Sequence, residues 1–293
     1  MTRAATGTLV TDAALAGSGI GAFNVIHLET AEAIVAAGER AQLPVILQIS
    51  QNCVAYHGGL EPVANACLAL ADAVTTPVAV HLDHAEDEQL ARRAIQLGFG
   101  SVMFDAARLE YEDNVLATRR IVEYAHADDV FVEAELGAIG GKDGAHAPGV
   151  RTDPDEAVRF VADTGVDALA VAVGSSHAMT ERRASLDLDL IARLHDRLDV
   201  PLVLHGSSGV PDDDIVAAIR AGMTKINVST HLNGYFTRAI REYLDANPSV
   251  VDSRKYVAAG REALSREAER LLRVFHDVRD EGAGIRIQGE AAR

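Results

Sequence analysis

Eight short apolar runs, many of them β-branched, recur at fairly even intervals: Gly21–Ile26, Val45–Ser50, Val78–Asp83, Ser101–Asp105, Val130–Leu136, Ala168–Val173, Pro201–His205 and Thr224–Val228. Between them, Glu29–Ala41, Glu86–Leu97, Glu112–His126, Pro154–Thr164, Leu188–Leu198 and Pro211–Ala221 carry apolar residues at helical spacing. Several of these open on acidic residues or proline, which suit a first helical turn. Strand and helix therefore alternate. Runs that are apolar without clean alternation belong in a parallel sheet covered on its faces, and eight repeats fit a (β/α)8 TIM barrel in number and length. A doubly wound open sheet is the structural alternative.

The stretch from Thr230 to Asp277 is longer than one barrel helix and sets Tyr235, Ile240, Tyr243, Leu264, Leu271 and Leu272 at helical spacing. It reads as the eighth helix plus a C-terminal helical extension. The expected organisation is one α/β barrel domain over residues 1–278, followed by a Gly-rich, charged tail at 279–293 that is expected to fray. A GxGxG run at Gly17–Gly21 precedes a strand instead of following one, which argues against a dinucleotide loop.

Composition narrows the partners. With 27 basic against 43 acidic residues, the formal charge of −16 has the wrong sign for a nucleic-acid or membrane-surface binder, so an anionic ligand has to be held by local groups. Cys53 and Cys67 are too few for a disulfide framework or a thiolate metal site, which suits a reduced cytoplasm. No apolar run approaches the roughly 18 residues of a membrane span, and Met1–Asp12 holds no apolar signal core. The expectation is a cytoplasmic protein with neither nucleic-acid nor membrane partners.

In a (β/α)8 enzyme the active site is built at the C-terminal ends of the strands. Polar residues at those ends are Asn24, Ser50, Asp83, His84, Asp105, Glu133, Glu135, His177, His205 and Asn227. Neutral imidazoles with a carboxylate oxygen suit Zn2+, and three such ligands with an open position make a catalytic site. His84, His177 and His205 are the candidate ligands, with Glu135 as a fourth. Glu133 has the same parity as Glu135 and suits an orienter of an imidazole. Asp83, beside His84, is placed to exchange protons with a substrate oxygen, although a helix N-cap would also explain it. Asp105 is read as a supporting group.

The runs Gly206-Ser207-Ser208 and Asn227-Val228-Ser229-Thr230 follow the last two strands, where barrels commonly hold phosphate through backbone N–H groups, hydroxyls and a helix N-terminus. Lys225, counted as one residue out of phase with Asn227, is read as facing the helical layer instead of the ligand.

These residues sit within a longer pattern: Ala22-Phe23-Asn24-Val25 with Leu28-Glu29, His81-Leu82-Asp83-His84, Ser101-Val102-Met103-Phe104-Asp105, and Glu133-Ala134-Glu135-Leu136-Gly137 with Gly140-Gly141. It continues through Gly174-Ser175-Ser176-His177, Leu204-His205-Gly206, Lys225-Ile226-Asn227-Val228 and Arg254-Lys255-Tyr256. In this the chain resembles the class II, zinc-dependent ketose-bisphosphate aldolases, the fructose-1,6-bisphosphate and tagatose-1,6-bisphosphate aldolases. The resemblance implies a lyase of carbohydrate metabolism and glycolysis, a homodimer or homotetramer. It would reversibly cleave a phosphorylated ketose to dihydroxyacetone phosphate and an aldehyde such as glyceraldehyde 3-phosphate.

Carried over residue by residue, it makes His84, His177 and His205 the zinc ligands, Glu135 the additional ligand of some members and Asp83 the proton-transferring acid. Gly206 to Ser208 and Asn227 to Thr230 become the dihydroxyacetone phosphate segments, and Arg254 the arginine a neighbouring subunit lends to the distal phosphate. The chain also departs from the pattern. Asp143 stands where the mobile loop usually carries glutamate, and Ala178 where a glycine helps bind phosphate and a monovalent cation. Ser207-Ser208 and Ile26-His27 differ as well. The departures cluster at the substrate mouth, so a ketose with a sulfonate or no phosphate at C6 stays open, as does a metal-dependent sugar-phosphate isomerase or epimerase.

Overall fold

A computed structural model describes residues 3–136, 151–175 and 181–278. Eight parallel strands close into a barrel in sequential order: β1 (Ile20–Asn24), β2 (Val45–Ser50), β3 (Val78–Ala85), β4 (Ser101–Phe104), β5 (Phe131–Glu135), β6 (Ala168–Ala170), β7 (Leu202–Leu204) and β8 (Met223–Val228). β1 pairs with β8 as well as β2, so no sheet edge is left open. The doubly wound alternative is excluded.

Alternate residues of each strand serve different layers. Phe23, Leu47, Leu82, Val102, Val132, Leu169, Leu204 and Ile226 join the large core between strands and helices. Their neighbours in sequence turn inward. Near the strand starts these are apolar, with Ile20, Ala22, Ile46 and Ala79 in one cluster and Met103, Ala168, Ala170 and Val203 in another.

The predicted barrel helices form close to their expected bounds: α2 (Leu28–Ala41), α5 (Glu88–Leu97), α6 (Tyr111–His126), α7 (Pro154–Thr164), α8 (Leu188–Arg197) and α9 (Asp212–Arg220). Three further helices come from segments the sequence reading left unassigned. α1 (Thr6–Ala16) buries Thr6, Leu9, Val10 and Ala13, an i, i+3, i+4, i+7 stripe, against the first strands. It ends at Gly17, whose φ of 62° supplies the left-handed cap, so the glycine run is a turn into β1. α3 (Gln51–His57) and α4 (Glu61–Ala73) fill the crossover from β2 to β3.

The C-terminal stretch divides into α10 (Thr230–Ala246) and α11 (Ser253–His276). α11 buries Leu264, Leu271, Leu272 and Phe275, each worth roughly 1.5–3 kcal/mol on leaving water. It is locked to α2 where the Ser265 hydroxyl donates to the Ala33 carbonyl at 2.6 Å. It also meets α10 through His231 and Glu267, 2.7 Å apart, and burial pressure on that carboxyl is outweighed by Arg270 and His231, which hold it down at about 2. Among the described residues no helix is long and apolar enough to cross a membrane.

Candidate active site

The C-terminal strand ends enclose a cleft lined by Asn24, Gln48, Ser50, Asn52, Asp83, His84, His205, Gly206, Ser208, Asn227, Ser229 and Thr230. Its centre is a local break in regular structure. Along a regular strand the consecutive residues Asp83 and His84 would face opposite sides. Here the β3–β4 register shifts between Leu82 and Ala85, and His84 takes a φ of 49°, a left-handed conformation that costs on the order of 1–3 kcal/mol. The kink brings both side chains into one cleft.

His84 and His205 then meet with Nε2 of the first 2.9 Å from Nδ1 of the second. Each ring is held at its far nitrogen by a carboxylate, His84 Nδ1 at 2.8 Å from Asp105 Oδ2 and His205 Nε2 at 2.9 Å from Glu133 Oε1. If both far nitrogens donate, both facing nitrogens carry lone pairs, and only a cation between them relieves the repulsion. A proton can fill that role in the metal-free protein. Burial would lower the His84 imidazole, but Asp83, Asp105 and Glu135 together raise it to about 10.

Ligand-type atoms of Asp83, His84 and His205 lie within 4.8 Å of one another, as do those of His84, Asp105 and Glu135. Asp83 Oδ1 is buried and lacks a hydrogen-bond partner among the described residues. The donor set therefore fits a divalent metal on structural grounds, with Glu135 on the Asp105 side of His84.

Asp83 is fixed through its other oxygen. Oδ2 accepts from Asn24 Nδ2 at 2.8 Å, and Asn24 Oδ1 accepts in turn from Gln48 Nε2 at 2.8 Å. Burial pushes the Asp83 carboxyl up, yet His84, His205, Lys225 and the Asn24 amide win and hold it below the usual carboxylate range. Asp83 is thus an anion with one oxygen anchored and one available.

On the far side of the cleft, Gly206 at a φ of 65° turns the chain into the short helical turn Ser207–Gly209. Ser208 Oγ accepts from the backbone N–H groups of Ser229 and His231, so the two predicted phosphate segments are bound to each other beside the start of α10. Ser207 is turned inward, its hydroxyl donating to the Asn227 carbonyl, and the Val228 side chain packs in the outer core. Ser50 lines the cleft and also caps α3 through the Cys53 N–H. Arg254 lies at the start of α11, with a side chain that is 90% exposed and paired with Asp252. Asp143, His177 and Ala178 lie outside the described residues.

One expectation is corrected outright. Lys225 points into the barrel, not toward the helices: two residues from Asn227, it shares that residue's face, and it is fully buried. The sequence reading also passed over Gln48 and Asn52. Gln48 was visible as a polar residue of inward parity, two before Ser50; Asn52 follows the strand end and gave no comparable signal.

Comparison with known proteins finds relatives over nearly the whole chain. The family model for class-II fructose-bisphosphate aldolase matches residues 4–279. The fructose-bisphosphate aldolase of Geobacillus stearothermophilus is 42% identical over 260 residues, 87% of this chain and 91% of its own. That of Staphylococcus aureus is 37% identical over 271 residues, 91% and 95% of the two chains. Among solved structures, the YdjI aldolase from Escherichia coli K12 superimposes with a TM-score of 0.81 at 31% identity, covering 94% of this chain and 97% of its own. With a match that runs from α1 through α11 and takes in the whole cleft, the chain belongs to the class-II fructose-bisphosphate aldolases, a family of metal-dependent lyases.

Proposed function

We propose that the protein is a zinc-dependent aldolase that reversibly cleaves a ketose 1,6-bisphosphate of fructose or tagatose type. The products are dihydroxyacetone phosphate and an aldehyde such as glyceraldehyde 3-phosphate. The observation that carries this reading is the pair of imidazoles facing each other at 2.9 Å, each anchored behind by a carboxylate, beside a buried aspartate. His84 and His205, with His177, would hold Zn2+, which when bound supplies a Lewis acid for the electron pair released as C3–C4 breaks.

The chain's own groups account for the rest. Asp83 Oδ1 takes the proton from the C4 hydroxyl in cleavage and returns it to the aldehyde oxygen in condensation, while Asn24 holds Oδ2 still. The Gly206–Ser208 turn and the start of α10 receive the phosphate of the dihydroxyacetone half, so no cationic side chain is needed there. Glu135 serves as an additional ligand, Asp143 exchanges the proton on the dihydroxyacetone phosphate carbon, and Ala178 takes the sequence position of the glycine that contributes to phosphate and monovalent-cation binding. In a homodimer or homotetramer, Arg254 of a neighbouring subunit reaches the distal phosphate. The compartment is the cytoplasm.

The test is a panel of fructose, tagatose and C6-modified ketose phosphates with coupled detection of dihydroxyacetone phosphate. We expect triose phosphate from a 1,6-bisphosphate, abolished by chelator and restored by Zn2+. Turnover that survives complete metal removal, or a panel that yields no triose phosphate, overturns the reading.

A further inference from the structure

Lys225 is a lysine with no exposure in the middle of β8, flanked in register by the apolar Val203 and Ile20. A methionine or leucine would fill that volume without the cost of burying a charge, so packing alone does not explain it. Its Nζ forms a 2.8 Å ion pair with Glu133 Oε2 and donates to Asn227 Oδ1 at 2.9 Å. Both partners touch the same ring. Glu133 Oε1 is 2.9 Å from His205 Nε2, and Asn227 Nδ2 is 3.1 Å from that nitrogen and 3.4 Å from Nδ1.

We propose that Lys225 is a positioning residue for the metal centre: it holds Glu133 so that His205 donates from Nε2 and presents its Nδ1 lone pair toward His84. The inference rests on the metal reading given above. A neutral imidazole offers one lone pair, and the nitrogen that carries it is decided by what the other nitrogen bonds. Glu133 makes that decision, and a carboxylate held at only one oxygen can rotate away; the Lys225 ammonium, 2.8 Å from the second, holds it by charge. Asn227 has its own ambiguity, because its amide could turn over. A lysine offers no acceptor, so only Oδ1 can face Nζ, and Nδ2 is left toward His205 and the cleft. One side chain thereby removes two rotational freedoms beside a ligand it does not touch.

The experiment is titration of the metal-free full chain with Co2+ alone, against a competing chromophoric chelator, reading both the dissociation constant and the visible absorption bands of the bound ion. Lys225→Met is expected to raise the dissociation constant about 10- to 100-fold and to shift those bands, with the far-ultraviolet circular dichroism unchanged. A rise of less than fivefold in the folded variant overturns the inference, because a merely structural lysine would lower thermal stability and leave the ion's affinity and spectrum alone. Should Lys225→Met not fold, Lys225→Gln carries the measurement at the same threshold, being neutral but able to donate to Asn227. Wild-type protein that binds no Co2+ overturns the metal reading itself, whereas tight binding by wild type and variant alike overturns only the role of Lys225.

Discussion

The two ends of the barrel interior are buried to the same depth and built from different chemistry. Near the strand starts, Ile20, Ala22, Ile46 and Ala79 pack under Leu9, Val10 and Ala13 of α1. From mid-strand to the strand ends, Asp83, Glu133, Glu135, His205, Lys225 and Asn227 are each less than a tenth exposed, yet all carry polar or charged groups. Burial therefore does not separate core from site. Partnership does: the lower end is satisfied by contact, while the upper end keeps a carboxylate oxygen of Asp83 without a hydrogen-bond partner among the described residues and a histidine in a left-handed conformation. Errors of volume should register at the bottom as lost stability, and errors of charge at the top as lost metal or lost rate.

The largest effect expected from that contrast is at Asp83. Asp83→Ala should lower kcat by about 10²- to 10⁴-fold, the range for a lost general acid or base, while the protein stays folded. Steady-state cleavage kinetics decide it, and a rate within tenfold of wild type removes Asp83 from the proton path. Next in size is Asp105→Ala, which frees His84 Nδ1 from its 2.8 Å partner. Here the ligand is loosened and not lost, so metal affinity should fall by roughly 10- to 100-fold. Metal content after dialysis at a fixed free-ion concentration measures this, and unchanged occupancy would mean that the kinked backbone alone aims the ring.

How much of this could be read before the structure also differs between the two ends. The strand-end rule picked out Asn24, Ser50, Asp83, His84, Glu135, His205 and Asn227, all of which the fold brings to or beside one cleft. It works because closure of a parallel barrel forces those ends together whatever the loops do. The kink at His84 was not legible, since simple alternation would have turned it outward and only a bulge reverses that. Lys225 is placed wrongly by a parity count that sets it one residue out of phase with Asn227, whereas residues two apart on a strand share a face; the partner that admits its charge, Glu133, lies three strands away. The plug α1 carries a helical stripe at Thr6, Leu9, Val10 and Ala13, but it precedes the first strand, so the alternation of strand and helix gives it no place.

A smaller effect tests the seam between the two ends. His81 Nδ1 lies 2.7 Å from Ser101 Oγ, which donates to Thr6 Oγ1 at 2.8 Å, so one hydroxyl ties β3 and β4 to the plug helix. Burial and the nearby Lys225 hold His81 well below the usual imidazole range, so it acts here as a neutral donor. Ser101→Ala strips a partner from two buried groups and should cost about 1–3 kcal/mol in denaturant unfolding of the metal-free protein. Cleavage kinetics should stay within twofold of wild type. A drop in kcat instead would mean that the polar row transmits position from the plug to the metal centre, and the division between the two ends would fail.

The smallest expected effect is at Ile46, fully buried in the α1 cluster. Ile46→Val removes one methylene from a site closed by the plug on one side and strands on the other, where neighbours can collapse only partly. The expected loss is about 0.5–1.5 kcal/mol, with no change in metal affinity or kcat. Because the substitution alters volume and no charge, it isolates the packing half of the contrast. If stability were untouched, α1 would have to close the gap by shifting, and the shift would show as faster hydrogen exchange in Thr6–Ala16. If metal affinity fell as well, the interior would behave as one mechanical unit, and the rate effects assigned to charge at the strand ends would have to be remeasured against a packing control at the same depth.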